Sequence, residues 1–332
     1  MTGHAATKRQ SSRHLVAPEL LAGLAVLPDL DLSDDYIASL RQGTGALGRI
    51  PRPPLPPELE AVECRELHVP GPDGAPDVRI LLYLPDETPS ALRPALLHIH
   101  GGGYVMGNPE INDASNRAHA RNQGCVVVSV DYRLAPETRW PGPLEDCYAA
   151  LRWLAGEADA LGVDRNRIAI AGESAGGGHA AALSQLARDR GEFPICFLLL
   201  DSPMLDDRTG SSSEPHPYTG EFVWTPERNR YGWGALLGSE PGSDDIPDGA
   251  VPARAANLAD LPATCITIGA LDLFLEESLD YVRRLSRAGV PVELHVLPGA
   301  YHGYGIAGET APQIARNAGL RRDALRRAFQ GL

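Results

Sequence analysis

Ile168-Ala-Ile-Ala171 followed by Gly172-Glu173-Ser174-Ala175-Gly176-Gly177 is the stretch on which the reading of this chain turns. An apolar run enters Gly172, and an alanine-rich segment of high helix propensity leaves Ala175. The pattern is strand, tight turn, helix, with a serine at the apex. A turn this sharp strains the backbone of its apex residue, so the neighbours must be small, and Gly172, Gly176 and Gly177 supply the room. In that context G-x-S-x-G displays a nucleophilic serine at the end of a strand.

The same rhythm extends outward in both directions. Apolar, strand-like runs occupy 78–84, 95–100, 125–132, 167–172, 194–201, 263–269 and 292–298. Helix-length segments lie between several of them, at 112–123, 143–161, 175–190 and 275–288, with an arginine-rich helix closing the chain at 311–329. Near-continuous apolar strands alternating with helices predict an α/β fold with a mostly parallel sheet covered on both faces. Residues 205–238 interrupt the alternation: the segment is polar, then aromatic (Tyr218, Phe222, Trp224, Tyr231, Trp233), with no strand pattern. A long excursion between core strands is expected to be a cover or binding insert.

A serine nucleophile needs a base, an acid to orient the base, and donors for the developing oxyanion. His100-Gly101-Gly102-Gly103 follows a strand and offers backbone N–H groups that approach a ligand closely. The candidate oxyanion donors are the amides of Gly102 and Gly103 together with Ala175, the residue after the serine. His100 is read as an organiser of this loop. In the chain order Ser, Asp/Glu, His, each just after a strand, the acid is Asp272 and the base is His302, in the turn Pro298-Gly-Ala-Tyr-His302-Gly303. His98 and His295 lie within strands and are read as structural, His119 and His179 fall on helices, and His4, His14 and His216 look exposed. Phe222 and Trp224 are the candidate walls of a substrate pocket.

These residues resemble one family. His100-Gly-Gly-Gly103, Asp131-Tyr-Arg-Leu-Ala-Pro-Glu137, the Gly172–Gly176 elbow, the acid turn at Asp272 and the His302-Gly303 turn occur in the order found in the hormone-sensitive-lipase-like branch of the α/β hydrolases, bacterial carboxylesterases in particular. The resemblance spans about residues 60–303. It implies an α/β-hydrolase fold with a helical cap. The catalytic core would be 58–204 and 241–332, the cap 1–50 and 205–240, and 51–57 a proline-rich linker. It implies a serine carboxylesterase acting on small-molecule esters, without metal or organic cofactor, and a possible homodimer; the bulky cover over the serine, with Phe222 and Trp224 as walls, gives the expectation of short to medium acyl chains. The chain departs from the family at Glu173, where Asp is usual, at Gly178-His179, where Asn-Leu is usual, and in the acid turn, Asp272-Leu-Phe-Leu-Glu276-Glu277. The alternatives are an amidase or deacetylase acting on a natural product, a lid-gated lipase, and a ligand receptor lacking turnover. The polar stretch 206–217 argues against the lipase, and the three intact candidates Ser174, Asp272 and His302 against the receptor.

Composition closes off other classes. The chain has 332 residues, 43% hydrophobic, and a formal net charge of −13 with a single lysine, Lys8. That charge disfavours nucleic acid or an anionic membrane as a partner. Five cysteines (Cys64, Cys125, Cys147, Cys196, Cys265) form no C-x-x-C pair, so a zinc or dithiol site is not expected, and they fit a reducing compartment. No run reaches the length of a membrane span. The apolar run at 15–27 is broken by Pro18 and Glu19 and lacks an obvious cleavage site, so the expectation is a cytoplasmic protein. Ser33 is a candidate N-cap between two short helices near the N-terminus.

Overall fold

Strands that are buried on both faces need no polar alternation, and the centre of this sheet is made of such strands. In a computed structural model, which describes residues 11–26, 31–43, 55–85, 91–212, 214–307 and 311–331, eight strands form one sheet. They are β1 (Glu63–Val69), β2 (Val78–Leu84), β3 (Arg93–Ile99), β4 (Val126–Asp131), β5 (Val163–Glu173), β6 (Phe197–Asp201), β7 (Ala263–Gly269) and β8 (Val292–Leu297). The order across the sheet is β1-β2-β4-β3-β5-β6-β7-β8. The β1–β2 and β2–β4 pairs are antiparallel, and every pair from β4–β3 to β7–β8 is parallel. In register, Ile99 lies beside Gly172 and Glu173 beside Asp201. The glycine loop after β3 and the serine turn after β5 therefore emerge from adjacent strands at the same edge.

The helices are α1 (Leu21–Val26), α2 (Asp34–Arg41), α3 (Pro57–Glu60), α4 (Asp113–Gln123), α5 (Gly142–Gly156), α6 (Ala158–Leu161), α7 (Ala175–Arg190), α8 (Pro226–Leu237), α9 (Leu275–Arg287) and α10 (Pro312–Phe329). One face of the sheet packs on α5, α7 and α9 through a large core that includes Leu97, Val128, Ile170, Leu200, Leu151, Leu183 and Tyr281. The other packs on α4 and α10 through Leu96, Val127, Leu199, Ala120, Leu325 and Phe329.

The structure differs from the apolar-run reading in three places. β1 has no counterpart among the apolar runs: Glu63, Arg65, Glu66 and His68 are exposed on this outermost strand, and polar residues there discourage pairing with another chain. The expected helix at 143–161 is two helices, α5 and α6, separated at Glu157, just past the poor helix former Gly156. The excursion at 205–238 contains α8, with the Thr225 hydroxyl accepting from Arg228 N–H as its N-cap and Pro226 in its first turn. At the N-terminus the Ser33 hydroxyl caps α2 as expected, accepting from Tyr36 N–H at 3.3 Å. Pro57 belongs to α3 and so to the folded part, while readings that fall on 1–10, 27–30 and 44–54, most of the proline-rich segment included, lie outside the described residues.

Candidate active site

Ser174 sits between β5 and α7 with φ 54° and ψ −120°, a strained conformation for a residue with a side chain. Its backbone is pinned from both sides. Its N–H donates to Asp201 O at 3.0 Å, and its carbonyl accepts from Met204 N at 2.9 Å. Two residues on, a Cβ at Gly176 would lie 2.1 Å from Ile99 O, so only glycine lets the start of α7 approach the end of β3 this closely.

Asp272 and His302 arrive from the turns after β7 and β8, tied together by a bond from Leu271 N–H to Ala300 O at 2.9 Å. Ser174 Oγ lies 3.0 Å from His302 Nε2, and His302 Nδ1 lies 2.9 Å from Asp272 Oδ2. Asp272 is fully buried, and its Oδ1 accepts from Phe274 N–H at 3.0 Å, which fixes the carboxylate plane. The Phe274 ring meets the imidazole edge-on, with centroids 5.1 Å apart. Tyr301 holds the turn from outside by donating to Leu20 O at 3.0 Å.

The glycine loop faces this trio. Gly102 (φ 131°) and Gly103 (φ 61°) are in conformations open to glycine. Among the described residues, no hydrogen bond occupies the N–H of Gly102, Gly103 or Ala175. His100 is buried, stacked 4.3 Å from Tyr132, and burial lowers its pKa to about 4. The neutral ring therefore donates from Nδ1 to Gly101 O at 2.8 Å, and Tyr132 donates to His100 O at 2.9 Å. Both contacts shape the loop.

The departures from the family pattern have physical partners. The Glu173 carboxylate meets His98 Nε2 at 2.8 Å and Arg321 Nη2 at 2.6 Å. Burial opposes its ionisation, but His98 and Arg321 outweigh burial and hold it well below the usual carboxylate range. Arg321, on α10, also meets Asp201 at 3.0 Å. The arginine-rich final helix was visible in the sequence, but nothing marked Arg321 among its arginines. His179 packs edge-on against Tyr104 and Tyr132, at 4.7 and 5.0 Å, and burial lowers its pKa to about 3. A Cβ at Gly178 would lie 2.2 Å from the Tyr104 hydroxyl, which bonds Met204 O.

Described residues near the N-terminus and in the 205–240 segment pack into the apolar clusters that reach these turns. Val16, Leu20 and Tyr301 share one apolar cluster, while Ile37, Tyr104, Trp224, Trp233 and Phe274 share another. Tyr231 on α8 donates to Asp34 on α2 at 2.8 Å. Asp207, fully buried, ties the base of the segment to Arg254 and to Gly242 N–H. Of the two wall candidates, Trp224 packs against Gly103 and tilts over His302 at 6.2 Å, whereas Phe222 meets Tyr301 at 5.8 Å, one residue away from His302. His216, expected to be exposed, is half-buried, and its Nδ1 accepts from Tyr218 N–H.

Among the described residues, Cys265, Glu293 and His295 bring three metal-type donor atoms within 4.8 Å of one another. They stand on β7 and β8, where Glu293 is already engaged by His295 and Arg327. No helix among the described residues is long and apolar enough to cross a membrane.

A family model described as the alpha/beta hydrolase fold matches residues 96–306. The chain is 39% identical over 311 residues to "Esterase LipI" of Mycobacterium tuberculosis, covering 92% of this chain and 93% of that protein. It is 35% identical over 316 residues to "Carboxylesterase NlhH" of the same organism, covering 91% and 97%. Among solved structures, "Bacterial Heroin Esterase" superposes with a TM-score of 0.85 at 39% identity, over 95% of this chain and 98% of that one. The chain belongs to the α/β-hydrolase fold family, in its hormone-sensitive-lipase-like branch.

Proposed function

We propose that this protein is a serine carboxylesterase that hydrolyses short- to medium-chain acyl esters through an acyl-enzyme on Ser174. The observation that carries the reading is the continuous contact from Ser174 Oγ to His302 Nε2 at 3.0 Å and from His302 Nδ1 to Asp272 Oδ2 at 2.9 Å. The relatives named as esterases support the broader statement that its substrates are carboxylic esters.

Ser174 attacks the ester carbonyl while His302 Nε2 takes its proton. Asp272 accepts a hydrogen bond from His302 Nδ1–H throughout, so the imidazole presents the correct nitrogen and the imidazolium is stabilised. The N–H groups of Gly102, Gly103 and Ala175 receive the oxyanion. His302 then returns the proton to the departing alkoxide. Water, deprotonated by the same imidazole, repeats the attack and releases the acid.

Segments 1–50 and 205–240 act as the cover that limits substrate length. Each buried methylene contributes about 0.8 kcal/mol until the pocket is full. A panel of p-nitrophenyl esters and the matching anilides tests this reading. We expect kcat/KM to peak at roughly four to eight acyl carbons, where further methylenes no longer find apolar protein. Anilides should react far more slowly. Preference for anilides would favour the amidase reading, activation at an oil interface the lipase reading, and no turnover at all the receptor reading.

A further inference from the structure

Val223 has φ +61°, a conformation that is an outlier for a β-branched residue. Trp224 N–H donates back to Phe222 O at 2.7 Å, so the three residues form a tight turn of the strained, positive-φ kind. Strain of this type persists only where the surroundings over-determine it, and here they do. Arg228 bonds the Val223 carbonyl, and the Trp224 indole N–H donates to Asn229 Oδ1 at 3.1 Å. Asn229 is fully buried, and its Nδ2 donates to Thr209 O at 2.7 Å. The Thr209 hydroxyl bonds Glu277, whose other carboxylate oxygen takes Leu205 N–H at 2.6 Å.

The chain of bonds ends at the reaction centre. A Cβ on Gly103 would lie 2.1 Å from the indole Cη2, and the indole and His302 ring centroids are 6.2 Å apart. A wall that touches both the oxyanion loop and the base borders the side of the carbonyl from which the alcohol departs, because His302 must reach the leaving oxygen. We infer that Asn229 is a positioning residue for substrate selection. It holds Trp224 as a fixed wall on the alcohol side of the ester, so that esters of slim primary alcohols are favoured over those branched next to the ester oxygen. Asn229 touches no substrate and acts through the indole.

This inference rests on the esterase reading, and the test separates the two. Ethyl acetate and tert-butyl acetate form the same acetyl-enzyme, so their kcat/KM ratio reports only acylation. Trp224→Ala should raise the tert-butyl to ethyl ratio by about tenfold or more, the scale on which an apolar pocket distinguishes a methylene. Asn229→Leu should raise it in the same direction while ethyl acetate hydrolysis is kept, and the double variant should add little to Trp224→Ala alone. If Asn229→Leu does not fold, Trp224→Phe removes the same hydrogen bond from the other partner and must also raise the ratio. An equal loss on both esters in Asn229→Leu, or an unmoved ratio in Trp224→Ala or Trp224→Phe, overturns the inference. A wild-type protein that cleaves neither these nor any other ester overturns the esterase reading instead.

Discussion

Asp272 is where a one-atom change is most informative. Its carboxylate is fully buried, takes the His302 Nδ1 contact at 2.9 Å and accepts Phe274 N–H on its other oxygen. Asp272→Asn keeps the shape but presents a donor to Nδ1, which favours the wrong imidazole tautomer. We expect kcat to fall by about 10⁴, as tautomer loss does in a comparable triad. Glu276 is exposed, and Glu276→Gln should leave kcat nearly unchanged. A crippled Glu276→Gln beside an active Asp272→Asn would contradict the assignment. At this scale the sequence was informative because the geometry is dictated locally. A serine between Gly172 and Gly176, and an acid and a histidine directly after strands, stand where strand ends must converge. The partners of Glu173 were not legible. His98 and Arg321 are 75 and 148 residues away along the chain, and only the sheet register and the docking of α10 bring them together.

Among the elements, α10 has the largest lever on the site. Arg321 reaches from it to Glu173, beside the nucleophile candidate, and to Asp201, whose carbonyl accepts Ser174 N–H. Arg321→Met would leave the carboxylates of Glu173 and Asp201 with, among the described residues, only His98, Asn112, Asn317 and Thr267 as side-chain partners. We expect a loss of about 3 kcal/mol, the lower end for breaking a buried ion pair because the Arg321 side chain keeps 14% of its surface exposed. The urea midpoint reads it, and Glu173→Gln in the same chain should restore part of the loss. An unchanged midpoint would mean that the ion pairs are energetically neutral. The central parallel strands, buried on both faces, were legible as apolar runs. β1 and α8 were not, since one is a polar edge strand and the other owes its burial to partners outside its own periodicity. Trp233 packs on Tyr104 and Tyr231 bonds Asp34, contacts that no local pattern announces.

Over the whole molecule, acid stability reports the buried imidazoles that shape the site. Burial lowers the pKa of His100 to about 4 and that of His179 to about 3, from 6.5 when exposed. The unfolded chain therefore binds protons that the folded one refuses. Their contribution is fully present above pH 6.5 and is lost as pH falls from there toward 4 and 3. One pH unit below 6.5 each imidazole removes about 1.4 kcal/mol, roughly 3 kcal/mol for the pair. The urea midpoint should drop accordingly between pH 7.5 and 5.5, and His179→Leu should take away about half of these two residues' share of the slope. A midpoint flat over that range would contradict the buried, neutral assignment of both rings. Whether Ser174 is the nucleophile of an esterase is read out by labelling with a serine-directed phosphonate and mapping the adduct by mass spectrometry. We expect a single adduct on Ser174, formed in step with loss of ester hydrolysis, and no adduct in a folded, inactive Ser174→Ala variant. An adduct on another serine, or hydrolysis retained in Ser174→Ala, would contradict this assignment.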